Sequence, residues 1–134
     1  MHKLLLTTAL LALFCGIACS KEKDPKKLEN TYWQLKKLVD GNPAESVPYE
    51  VVITVRLAAG KLTGSGGCND YGADYIVTGD QLSVAVIWAT KRGCAAGKWE
   101  TRYFEALQAS ESWKISGNTL TVQTADGSLV FTGQ

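Results

Sequence analysis

From Thr31 onward, apolar and polar residues alternate in short runs separated by turn residues, the pattern of half-buried strands. The run YEVVITVRL is the clearest. Tyr49, Val51, Ile53, Val55 and Leu57 fall on one face, with Glu50, Thr54 and Arg56 on the other. A two-residue turn at Ala59-Gly60 then sets Leu57 opposite Leu62, Val55 opposite Gly64, Ile53 opposite Gly66 and Val51 opposite Cys68. A turn at Gly79-Asp80 pairs Val77 with Leu82 and Tyr75 with Val84. A turn at Gly117-Asn118 pairs Ile115 with Leu120 and Trp113 with Val122, and one at Asp126-Gly127 pairs Val122 with Phe131. Every one of these four hairpins sets apolar against apolar, as burial of one face requires.

Eight strands are predicted, near residues 31–38, 49–57, 61–68, 72–77, 81–88, 111–116, 119–124 and 128–132. The period changes once. In GKWETRYFEALQAS, Trp99, Tyr103, Ala106, Leu107 and Ser110 recur at helical spacing, and Glu100 puts negative charge in the first turn. A single helix is predicted over residues 98–109. An antiparallel sheet of this size tends to close on itself, which removes its edges. The expected fold is mainly β: a small antiparallel up-and-down β-barrel or curled sheet with one helix over an end.

The chain begins MHKLLLTTALLALFCGIACS: a short basic start, an apolar run from Leu4 to about Phe14, and small residues at Gly16 and Ala18 before Cys19. The run is too short for a membrane span and reads as a signal peptide, residues 1–18. GIAC resembles a bacterial lipobox, which would make Cys19 the lipidated first residue of the mature protein; without lipidation the chain would be secreted. Residues 19–29 then form a charged tether, and 30–134 the domain. Cleavage removes the only histidine, His2, leaving 116 residues (134 − 18) with thirteen basic and thirteen acidic side chains. A Ser-His-Asp triad and a Cys-His pair are thereby excluded, and no metal site or cofactor is expected. The balanced charge gives no footprint for nucleic acid. A monomer is expected.

The stretch GSGGCNDYGADY, Gly64 to Tyr75, has the glycine density of a phosphate loop. A phosphate loop, however, runs strand, glycine turn, helix, and here a strand follows and no GK[ST] is present. Gly64, Gly66 and Gly67 read instead as scaffold, leaving room for a bulky neighbour such as the helix or Trp88. Asn69-Asp70 and Gly72 suit positive φ in the connection, and Asp70 and Asp74 read as turn formers. Cys68 and Cys94 enter an oxidising compartment and are expected to form a structural disulfide, with a redox pair as the alternative. Glu105 belongs on the solvated face of the helix. Glu100 could cap amides near Thr90 or in the glycine hairpin. Trp33, Trp88, Trp99 and Trp113 read as core; Trp33, Trp88 and Trp113 would line a ligand cavity if the barrel were hollow.

Taken together, Trp33-x-Leu35, Gly64-x-Gly66-Gly67-Cys68-Asn69, Gly72-x-x-Tyr75, Thr90-x-x-x-Cys94, Glu100 with Tyr103, Phe104 and Leu107, and Leu120-x-Val122 resemble the META domain. This is the type found in heat-inducible HslJ lipoproteins of bacteria. Two departures are the longer spacing in GADY and Gly93 before the second cysteine. The resemblance implies a compact β-barrel-like fold in an envelope protein associated with heat induction, resistance, motility or secretion. Its signature falls on Gly66, Gly67, Cys68, Asn69, Gly72, Tyr75, Thr90, Cys94 and Glu100, and it carries no catalytic residue.

The reading is a non-enzymatic, membrane-anchored module on the bacterial cell envelope that binds a protein or envelope component in stress or resistance. Alternatives are a lipocalin-like carrier, or an inhibitor of a periplasmic hydrolase using a loop at Asp40–Pro48 or Lys91–Lys98.

Overall fold

The computed structural model describes residues 27–41 and 43–134. The expected signal peptide, Cys19 and most of the tether lie outside them. Ten strands and one helix follow in order: β1 (Tyr32–Asp40), β2 (Glu45–Ser46), β3 (Thr54–Ala58), β4 (Lys61–Ser65), β5 (Asp70–Thr78), β6 (Gln81–Val84), β7 (Trp88–Ala89), α1 (Gly97–Gln108), β8 (Ser110–Ser116), β9 (Thr119–Thr124) and β10 (Gly127–Gly133). Strand order runs β10-β9-β8-β6-β5-β4-β3-β1, and β1 pairs back onto β10. Among the described residues the result is the expected closed antiparallel meander of eight strands with a single helix. The two extra strands are two-residue pieces on β1 and β5.

The alternation read from sequence fixes most registers. Leu57 faces Leu62, Val77 faces Leu82, Tyr75 faces Val84, Ile115 faces Leu120 and Trp113 faces Val122. In β1 the buried positions are Trp33, Leu35 and then Leu38; the step of three is a β-bulge between Leu35 and Lys37 that returns the strand to its inward face.

Three expectations are corrected. First, Val122 faces Leu129, and Phe131 faces Leu120, so the turn is Ala125-Asp126. Gly127 is not a turn residue; a Cβ there would lie 2.2 Å from the carbonyl oxygen of Val39 on β1. The two-residue slip preserves every facing, since side chains alternate with period two. Second, Tyr49 is fully exposed rather than inward, because the chain turns at Pro48, whose carbonyl accepts from Val51 N, and regular pairing begins only at Thr54. Third, Asp70 and Asp74 lie in β5, not in a turn, and Gly67 is the residue that takes positive φ (107°).

The barrel is filled. Trp33, Tyr71, Tyr103, Phe131, Leu35, Leu38, Ile53, Leu62, Leu107, Leu120 and Leu129 are all essentially inaccessible. Helix α1 closes one end, sending Tyr103, Ala106 and Leu107 into this core. At the other end lie the turns at Gly60, Gly79 and Gly117 and the segment Leu28–Asn30, held where Asn30 N donates to Leu57 O and Trp33 Nε1 donates to Leu28 O.

Candidate functional site

Most of the predicted signature converges at the helix end. The segment Gly66–Asn69, between β4 and β5, meets the first turn of α1 and the irregular stretch from Thr90 to Ala96. Cys68 and Cys94 are bridged across it, with Cα atoms 5.7 Å apart. Glu100 is buried. Its Oε2 accepts from Cys68 N (3.0 Å) and Asn69 N (2.7 Å), and its Oε1 accepts from Asn69 Nδ2 (2.5 Å). Of the two open alternatives, Glu100 therefore caps the glycine hairpin. Asn69 completes the link: Nδ2 also donates to Arg92 O, while Oδ1 accepts from Thr90 Oγ1 and Arg92 N. A carboxylate receiving three N–H bonds is strongly held.

Gly66 follows from this geometry. A Cβ there would sit 2.6 Å from Glu100 Oε2 and 2.6 Å from Phe104 Cζ. Gly64 is equally constrained, its Cβ meeting the Thr54 carbonyl on β3 at 2.0 Å. Gly66 thus makes room for the helix and Gly64 for the backbone of β3.

Beneath this cap lies an aromatic cluster. Tyr71 donates to Thr54 O (2.9 Å) and bonds Tyr103 Oη at 2.6 Å, so Tyr103 donates to Tyr71. Phe104 and Phe131 flank the pair. Burial, then the neighbouring Tyr103, pushes the Tyr71 hydroxyl well above the ordinary tyrosine range. Burial likewise raises Tyr103, against its hydrogen bond with Tyr71, which lowers it. Both hydroxyls stay protonated at any physiological pH and act as structural donors.

Sequence reasoning missed a second lock on α1. Arg102 donates Nε to Asp40 Oδ2 (2.7 Å) and Nη2 to Asp40 Oδ1 (3.0 Å), and both Nη atoms reach Glu45 at 3.3 Å. The guanidinium also lies 5.0 Å from the centre of the Trp99 ring. The bonds to Asp40 hold Arg102 further above its already high range. The residues are 62 apart in sequence, and no local pattern marks them.

Gly72 and Tyr75 do not join the cluster. Tyr75 points inward and donates to Glu29 Oε1 at 2.5 Å, with burial first and this bond next raising its hydroxyl. Gly72 faces outward beneath Trp88: a Cβ would lie 2.5 Å from Trp88 Cζ2. The tryptophans also separate. Trp33 is core. Trp113 is half-buried, donates to Gly79 O, and borders a 660 Å³ groove with Leu28, Val77 and Ile115 at the open end. Trp88 is 59% exposed, so it is not core. The cause is a one-residue slip: β5 pairs Tyr75 with Val84 but Gly72 with Trp88, and the extra residue turns the indole outward.

The META domain family model matches residues 26–134. Among solved structures, a protein from Burkholderia xenovorans determined by NMR is 23% identical over 80% of this chain and 83% of its own, with a TM-score of 0.68. A crystal structure of a DUF4847 family protein from Bacteroides vulgatus is 12% identical, covering 78% of this chain and 93% of that one, with a TM-score of 0.57. At these identities the likeness shows the fold. No curated protein matches the chain at a comparable level.

Proposed function

The chain belongs to the META domain family, and from that premise we propose that it is a non-enzymatic module of the bacterial cell envelope, lipid-anchored through Cys19. It binds a protein or envelope component through its outer surface. The observation that carries this reading is the filled barrel. Four large aromatic side chains, Trp33, Tyr71, Tyr103 and Phe131, occupy the interior that a carrier of small apolar molecules would need open. The carboxylates nearest the signature support it too. Glu100 is committed to backbone amides, and Asp40 and Glu45 to Arg102, so none is poised as a general base. The lipobox-like GIAC and the charged segment after it supply the anchor and tether.

Mass spectrometry of the full chain recovered from bacterial envelopes tests this. A chain beginning at a lipidated Cys19, with no small molecule retained in the native spectrum, is the expected result. An unmodified Cys19 overturns the anchor, and a retained apolar molecule overturns the module in favour of a carrier.

A further inference from the structure

The outer face of β5 carries an exposed indole beside an exposed ion pair. Trp88 lies across Gly72, with Cζ2, Cε2 and Nε1 of the indole nearest the glycine and more than half of the residue open to solvent. Only glycine at position 72 allows the ring to lie so close. The register places hydrogen-bonding side chains beside it. Lys61 sits directly opposite Asp74, and Thr63 directly opposite Gly72, all on the same outer face. Lys61 and Asp74 form an ion pair, both side chains about two-thirds exposed. Such a pair contributes little to folding. With Ala85 and Val86, these residues border a hollow of 480 Å³.

We propose that this hollow binds a pyranose ring of an envelope glycan. The ring stacks its C–H face on the indole of Trp88, whose π face is electronegative. Its hydroxyls bond Asp74, Lys61 and Thr63, which between them offer an acceptor, a donor and a group that does both. One aromatic plane beside convergent polar groups is the arrangement of a small-molecule site. An apolar peptide would strip water from the Lys61–Asp74 pair without replacing those hydrogen bonds, and the paired charges cancel any preference for a polyanion. The proposal rests on the envelope reading only for the source of the glycan; the site itself requires no lipid anchor.

The test uses the full chain carrying Cys19→Ser, exported and purified without detergent. Triacetylchitotriose, maltotriose and mannotriose are titrated to about 10 mM while the Trp88 indole N–H is followed by NMR. At least one saccharide is expected to saturate that signal with a Kd on the order of 1 mM. Trp88→Ala, followed through the backbone amides of Thr63 and Asp74 at the same site, is expected to weaken binding at least about tenfold, and Asp74→Asn or Lys61→Met about three- to tenfold, equivalent to the loss of one or two good contacts. These side chains are exposed, so the variants fold, as the unchanged core amide signals will show. No response to any of the three sugars overturns the proposal. So does binding that both polar substitutions leave unchanged, which would mark an apolar contact surface. Because the chain tested is unlipidated, failure here is separable from failure of the anchor.

Discussion

The helix end and the outer face of β5 both gather polar and aromatic residues, and they use them in opposite ways. At the helix end, Glu100, Asn69 and Thr90 direct their hydrogen bonds to backbone and to each other, and Arg102 directs its own to Asp40 and Glu45. Over β5, Trp88 of β7, Lys61 of β4 and Asp74 of β5 itself stand in solvent, and a glycine is placed to seat the ring. The richest chemistry in the sequence is therefore architecture. The surface with less chemistry is the one whose polar groups and indole still face solvent.

The sharpest way to break this contrast is to remove the bridge. Replacing Cys68 and Cys94 with alanine opens a 26-residue loop and is expected to cost about 3–4 kcal/mol in the chain-entropy model. Denaturant unfolding measures it. A loss below about 1 kcal/mol would mean that Asn69 and Glu100 hold the loop unaided, and that the bridge serves redox chemistry.

The next effect comes from Glu100→Gln. An amide must turn its NH2 toward either the Cys68 and Asn69 amides or the Asn69 side-chain donor, setting donor against donor. About 2–3 kcal/mol is expected, the cost of a charge-assisted bond lost in a buried site. Gly66→Ala attacks the same carboxylate sterically and should resemble it. Neither change should alter the response at Trp88. If either does, the two regions are coupled and the contrast fails.

How much of this was legible depends on whether a signal was local. Alternation in β3, β5, β8 and β9 gave the strands and most registers, because one buried face leaves little choice. The period change gave the helix within one residue at each end. The GGCN element and Glu100 were visible as a pattern, although the bonds joining them were not. What escaped were shifts of register and contacts between distant segments. The slip between Val84 and Trp88 carries no composition mark, yet it moves a tryptophan from core to surface and creates the proposed site. Gly127 looked like a turn and is instead a close approach to Val39. The Arg102–Asp40 pair joins distant segments that only the closed barrel brings together.

Alkaline pH probes the core beneath the helix end. The folded-state pKa values of Tyr71 and Tyr103 are raised, so the fold favours their protonated forms. The contribution of these two hydroxyls to stability is constant below about pH 10, where neither folded nor unfolded tyrosine ionises. Above it the unfolded chain loses protons that the fold retains. Stability then falls by about 1.4 kcal/mol per pH unit for each buried hydroxyl. Tyr71→Phe should lower that slope by about one such unit, read from denaturant midpoints between pH 9 and 12. A slope that starts well below pH 10 would mean that these hydroxyls are not held protonated.

The smallest stability change, and the most informative comparison, comes from Gly72→Ala. Its methyl would meet the Trp88 ring at 2.5 Å, as the Gly66 methyl would meet Glu100 at 2.6 Å. The clashes are alike in distance and different in consequence. Glu100 cannot move without stranding buried amides, whereas the exposed indole can swing into solvent. Gly72→Ala is therefore expected to cost under about 1 kcal/mol, within the range of surface substitutions. It should nevertheless shift the Trp88 indole N–H signal and weaken saccharide binding nearly as far as Trp88→Ala, because the indole remains but its orientation is lost. A variant that keeps full binding would show that the seated ring is not the platform. A loss of several kcal/mol would show that Trp88 is part of the structural framework, and that both regions of the molecule are architecture.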